Sequence, residues 1–285
     1  IVTDGYVMCW GGNGAGQLGD SGNATSTTPV SVSSVSGIDH VELGFYFSCG
    51  LTSGGQVYCW GLGTSGQLGN GTTSNSNTPS AISSITDAVD IGVGKDHACA
   101  VLSSGTAKCW GDNEFSQLGT GDTSDSTTPV SVSGYSDFTE ISAGEDFSCG
   151  VRSTGDTLCW GKGTSGQLGN GMSWGSLTPV VVSSGILTFS GVSSGGEHSC
   201  ALDNYDTVRC WGSGFIGQLG NGSSSDSNIP VEVSLPIMAM VSANGYHTCG
   251  VDSSNGFHCW GDNTMGELGD GTNTSSNSPV SVTWP

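Results

Sequence analysis

The tripeptide Cys-Trp-Gly returns six times along the chain, with its tryptophan at positions 10, 60, 110, 160, 211 and 260. The intervals are 50, 50, 50, 51 and 49 residues, so one structural unit is copied from end to end. A few residues downstream comes Gly-Gln-Leu-Gly, complete at Gly16-Gln17-Leu18-Gly19, Gly66-Gln67-Leu68-Gly69, Gly166-Gln167-Leu168-Gly169 and Gly217-Gln218-Leu219-Gly220. Ten residues after the last glycine stands a proline, at 29, 79, 129, 179, 230 and 279. A repeat this even argues for a single domain over residues 1–285 rather than two unrelated halves.

Within one repeat the polarity alternates at period two. Pro129-Val130-Ser131-Val132-Ser133 reads as a half-buried strand. Phe138–144 follows, then 147–151 and 157–161, with a loop of about fifteen residues leading to the next proline. No stretch holds a 3.6-residue period, and 49 glycines with abundant Ser, Thr and Asn suit short strands joined by turns. Four strands in each of six repeats predict an all-β fold, a six-bladed β-propeller of four-stranded blades with about 50 residues per repeat. The six tryptophans are expected to be core spokes between blades.

Ten of the eleven cysteines fall into five pairs spaced ten apart. These are Cys49 with Cys59, Cys99 with Cys109, Cys149 with Cys159, Cys200 with Cys210, and Cys249 with Cys259. Each pair brackets a turn such as Ser53-Gly54-Gly55. Folding back at that turn sets the two cysteines opposite each other, close enough for a cross-strand disulfide. Zinc is the rival reading, but a C-x-x-C knuckle is missing. Disulfides imply an oxidising setting, hence a secreted or extracellular surface protein.

Cys9 is the odd one. Residue 1 stands in phase with residue 51, so six full repeats would need fifteen more positions than the 285 present. By phase the shortfall matches residues 86–100, one strand and the first cysteine of a hairpin. The last blade, where first and last strands would meet, is therefore expected to be incomplete, with Cys9 unpaired or bonded between molecules. Together with the start at Ile1, this reads as a processed or truncated chain whose open blade invites strand exchange with a segment outside these residues.

The repeats resemble the regulator of chromosome condensation repeat family over essentially the whole length. The shared elements are Trp-Gly, Gly-Gln-Leu-Gly, and Gly-x-x-His-x-Cys at 94–99 and 195–200. Asn244 replaces the leading glycine before His247, Ser116 the glycine before Gln117, and Glu267 the glutamine. The resemblance implies a propeller that acts by binding proteins. The family includes a nuclear exchange factor for a small GTPase and a secreted β-lactamase inhibitor. The uniform repeat length leaves no room for the exchange factor's inserted wedge, and the cysteine pairs look like the secreted branch.

Charge narrows the partners. Twenty-five acidic side chains against five basic ones give a net charge of −20, which repels nucleic acid and attracts cations or a basic protein surface. No apolar run approaches the roughly 20 residues of a membrane span. The G-x-G-x-x-G spacings at Gly61, Gly161 and Gly212 lack the following helix of a dinucleotide site, and read instead as turns. His97, His198 and His247 occupy a position held by Phe47 and Phe147 in sister repeats, which marks it for packing. Asp112, Glu114, Asp122, Asp125, Asp262 and Asp270 offer loop oxygens for calcium without any recognised loop pattern, so neither metal nor other cofactor is expected.

Nothing interrupts the repeat with the mixed side chains of a catalytic centre, so no catalytic residue is assigned. The expected function is a non-enzymatic module for protein binding or self-assembly. The alternatives are an inhibitor of a secreted enzyme and a lectin-like carbohydrate or calcium-dependent binder. Contact residues are sought in variable loop positions, Phe115, Phe215, Ile216 and Met265. Two tryptophans lie off the repeat, Trp174 and Trp284, and Trp174 is the better contact candidate.

Overall fold

The computed structural model describes residues 6–283. It contains 22 strands and, among the described residues, no helix. In chain order the first sheet holds β1 (Met8–Gly11) and β2 (Ser26–Ser31). The second holds β3 (Ile38–Leu43), β4 (Phe47–Thr52), β5 (Val57–Gly61) and β6 (Ser76–Ala81). The third holds β7 (Ala88–Val93), β8 (His97–Leu102), β9 (Ala107–Gly111) and β10 (Ser126–Ser131). The fourth holds β11 (Phe138–Ala143), β12 (Phe147–Arg152), β13 (Thr157–Gly161) and β14 (Ser176–Val181). The fifth holds β15 (Phe189–Ser194), β16 (His198–Asp203), β17 (Val208–Gly212) and β18 (Ser227–Glu232). The last holds β19 (Met238–Asn244), β20 (His247–Asp252), β21 (Phe257–Gly261) and β22 (Ser276–Ser281). The chain divides into two compact units, Ile1–Ile141 and Ser142–Pro285.

The proline strand closes its sheet: β10 pairs with β9, Val130 facing Cys109, because the Trp-Gly loop returns the chain to the strand it has just left. The short sheet is the first in chain order, where β1 pairs with β2 and no other described strand, while β19 to β22 are all present.

The hairpin register places Cys49 opposite Cys59, Cys99 opposite Cys109 and Cys149 opposite Cys159. Cys200 stands opposite Cys210, and Cys249 opposite Cys259, in the same way. The Cα atoms are 4.0–4.1 Å apart, the separation of a non-hydrogen-bonded pair, and all five disulfides form. Among the described residues Cys9 is the free cysteine.

Each Trp-Gly then turns sharply. Gly61 has φ +106°, and a Cβ there would stand 2.5 Å from the Tyr46 carbonyl oxygen, so only glycine fits. That carbonyl accepts the N–H of Leu62, and the Glu197 carbonyl likewise accepts that of Ser213. The loop is thereby tied to the residue just before the hairpin.

Packing between sheets follows from the motifs. Trp60 Nε1 donates to the Gln17 carbonyl, Trp110 to that of Gln67, Trp211 to that of Gln167 and Trp260 to that of Gln218, each at 3.0 Å. The indole lies over the closing glycine of the preceding Leu-Gly, where Gly69 (φ +64°) leaves no room for a side chain. Five of the six tryptophans are fully buried, but Trp10 is 61% exposed. It is not a core spoke: among the described residues β1 pairs with β2 alone and lacks the second neighbour that its counterparts have. Between the second and third sheets one core joins Phe47, Cys49 and Leu51 of β4 to Ile91 and Val93 of β7.

Candidate protein-docking surface

In the unit Ser142–Pro285 the residue before each hairpin and the loop after each Trp-Gly project side by side. Lys162 Nζ donates to Glu197 Oε1 at 2.6 Å and to Asp146 Oδ2 at 3.4 Å, and Ser165 Oγ donates to the second Glu197 oxygen at 3.2 Å. Desolvation lowers the Lys162 pKa, but its bond to Glu197 and the two carboxylates outweigh this, so the ammonium is held above its usual range. Tyr246 stands beside this cluster; the charge of Glu145, more than its modest burial, pushes its phenol up. Phe215 meets Tyr246 edge-to-face at 6.3 Å and is 59% exposed. The result is an amphipathic patch, an aromatic pair beside fixed charges, of the composition that protein interfaces favour.

The contact candidates divide. Phe215 belongs to this patch, with Ile216 half-buried beside it against Ser276 and Asn277 of β22. Met265 is exposed on the corresponding loop of the last sheet, and its N–H donates to Glu267 Oε2 just as Ile216 N–H donates to Gln218 Oε1. Phe115 holds the same loop position in the other unit, Ile1–Ile141. Trp174 is exposed on a different loop, its carbonyl packed against Gly163. Trp284 lies outside the described residues. Tyr246 was missed by sequence reasoning; the signal available was that Tyr46 and Tyr246 stand where other repeats carry Asp96, Asp146 and Glu197.

The loop carboxylates weighed for calcium serve their own loops. Asp122 Oδ1 accepts from Thr120, Ser124 and Asn113, and Asp270 Oδ1 accepts from Thr272 and Asn263. Asp262 accepts from Thr264 and Ser275. No group of three or more His, Cys, Asp or Glu among the described residues is arranged to hold a metal. No helix there is long and apolar enough to cross a membrane. The glycines of the G-x-G-x-x-G spacings sit against loop backbone, Gly63 on the Ser74 carbonyl and Gly214 on that of Ser225.

The histidines pack as the phenylalanines do. His97, His198, Phe47 and Phe147 are buried, while His247 is half-buried. His198 Nε2 shares a 2.8 Å hydrogen bond with Thr248 Oγ1, and burial depresses the pKa of both His97 and His198 to about 3. The His198–Thr248 pair is sealed from solvent.

One antiparallel sheet per repeat and tryptophans that bond across to the neighbouring sheet together define a β-propeller. The regulator of chromosome condensation (RCC1) repeat matches residues 54–101, 105–151, 154–202 and 207–251, and the chain belongs to that family. Among solved structures it is similar to yeast RCC1 (Prp20) bound to Kap60, at 19% identity and a TM-score of 0.88, covering 100% of this chain and 72% of that one. It is similar to human WBSCR16 at 22% identity and a TM-score of 0.88, covering 99% and 80%. The ectodomain of the Physcomitrella patens receptor kinase CR4 is more distant, at 21% identity and a TM-score of 0.50 over 79% and 52%. No curated protein matches the chain.

Proposed function

We propose that this chain is a secreted or cell-surface, non-enzymatic propeller that binds a protein through the loops following Trp-Gly. The observation that carries the reading is the exposed Phe215–Tyr246 pair beside the Lys162–Glu197–Asp146 cluster. An aromatic anchor next to ordered charges suits a desolvated contact with a polar rim. The net charge of −20 favours a basic partner surface and speeds its encounter. Support for the compartment comes from five disulfides, which persist outside the reducing cytosol. The similar yeast protein, solved in complex with Kap60, supports a binding role.

A photo-crosslinking amino acid placed at position 215 tests this, with position 186, where Ile186 is fully outward, as the control. In the protein's native extracellular milieu, position 215 is expected to capture a discrete partner that position 186 does not, and Tyr246→Ala is expected to abolish the capture. Equal labelling from both positions would sink the proposal.

A further inference from the structure

Gln67, Gln117, Gln167 and Gln218 are sealed from solvent, so both ends of each amide need partners inside the fold. The Oε1 atom accepts a loop N–H, that of Ser65 at 2.8 Å for Gln67 and that of Ser165 at 2.9 Å for Gln167, which fixes the way the amide faces. The Nε2 atom then finds an acceptor at one of two places. Gln67 donates to Asp96 at 2.9 Å, Gln117 to Asp112, and Gln218 to Ser213 Oγ at 3.2 Å. Gln167 Nε2 is buried and has no partner among the described residues. One residue accounts for both losses. Where Asp112 and Ser213 stand, this repeat carries Lys162. Where Asp96 stands it carries Glu197, whose two oxygens are taken by Lys162 Nζ at 2.6 Å and Ser165 Oγ at 3.2 Å.

Lys162 is thus an internal cation held between carboxylates, and it leaves a buried donor unmet. More acidic charge surrounds it than it neutralises. The Glu145 carboxylate lies over Gly196, where a Cβ would stand 3.2 Å from Glu145 Oε1. Gly196 N–H donates to the Gly245 carbonyl at 2.7 Å, which brings that carboxylate up to Tyr246. The Tyr246 phenol is acted on by the carboxylates of Glu145 foremost, Glu197 and Asp146, with Lys162 the single opposing charge. Exposed Phe215 and half-buried Tyr246 add an aromatic wall to the same spot.

We infer that this cluster is a seat for an arginine side chain of the partner. The inference rests on the docking role proposed for the Phe215–Tyr246 patch and gives that partner its chemistry. The guanidinium enters beside the Tyr246 ring and takes the carboxylates of Glu145 and Glu197. Lys162 withdraws from Glu197 towards Asp146, and a Glu197 oxygen turns to Gln167 Nε2, as Asp96 does to Gln67. The buried amide then has the acceptor that its sister has, and the added cation relieves the repulsion among the carboxylates. A guanidinium suits the seat better than an ammonium, because it is planar and weakly hydrated, stacks on an aromatic ring and bonds carboxylates in its own plane.

The test titrates the intact oxidised protein with N-acetyl-arginine methylamide at constant ionic strength, followed by NMR of ring-labelled tyrosine. The Tyr246 resonance is assigned with Tyr246→Phe. It should move saturably, with half-saturation on the order of 10 mM for one partly exposed ion pair and ring contact. The neutral citrulline analogue should leave it in place. Glu145→Gln should weaken binding about fivefold. Gln167→Leu removes the donor that favours the exchange and should weaken it about threefold. Lys162→Met empties the seat and should tighten binding about tenfold, whereas Lys108→Met, the same charge change in the other unit, should alter it less than about twofold. Equal shifts from the arginine and citrulline compounds would overturn the inference. Equal tightening in the two lysine variants would do so as well, since binding would then follow overall charge rather than this seat. If position 215 captures a partner while the arginine compound leaves Tyr246 unmoved, the docking patch stands and the arginine seat falls.

Discussion

Acid should weaken this fold through histidines that cannot be charged where they sit. His198 is fully buried with its ring over Gly195, bonded at 2.8 Å to Thr248 Oγ1. Burial first, and the neighbouring His247 second, lower its pKa from 6.5 to about 3. Below pH 6.5 the unfolded chain takes up a proton that the folded chain refuses. Stability is therefore complete above that pH and is lost as pH falls towards 3. At pH 5 the linkage amounts to about 2 kcal/mol for this one group. His198→Phe removes it. The ring should fit, since Phe147 lies over Gly144 in the same way. Thr248 Oγ1 keeps a bond by donating to the Gln218 carbonyl at 3.2 Å. Urea unfolding followed by tryptophan fluorescence at pH 7.5 and pH 5.0 gives the two stabilities. The variant should show a pH-dependent loss about 2 kcal/mol smaller than the parent, with m unchanged. Identical losses in both proteins would refute the reasoning.

Replacing Cys99 and Cys109 together with serine opens a loop closed at a separation of ten residues, and should lower stability by roughly 3 kcal/mol in the same urea assay. Titration of the unfolded, unreduced protein with a thiol reagent should find one reactive cysteine, and any additional thiol would contradict the pairing. Gly61→Ala places a methyl group against the Tyr46 carbonyl at a positive φ, and a loss of about 2 kcal/mol or more is expected by thermal melting. Leu168→Ala empties a fully buried site and should cost about 2–5 kcal/mol; an unchanged melting temperature would show that the loop does not pack as described.

Much of this was legible in the chain because a repeat displays the same local solution several times. A cysteine ten residues from its partner across a tight turn has one register in which the sulfurs meet. All five hairpins adopt it, from Cys49 and Cys59 through to Cys249 and Cys259. Exchange of His for Phe at 47, 97, 147 and 198 identified a packing position before any contact was seen. Local pattern also sets the strands, since alternation at period two has only one way to bury its apolar face.

What the sequence by itself could not decide is how identical motifs fare in different surroundings. Trp10 and Trp60 stand in the same tripeptide, yet one is exposed and the other sealed, because burial belongs to the neighbouring sheet and not to the residue. The same holds for Leu43 and Val93. Whether a proline strand opens or closes a sheet depends on which edge its loop returns it to, a property of chain path that polarity does not encode. The patch at Phe215 arises from the meeting of Tyr246, Lys162 and Glu197, three residues up to 84 positions apart brought together only when sheets stack. Side-chain periodicity is local and can be read along the chain, whereas exposure, charge pairing and an open strand edge are decided by what packs alongside.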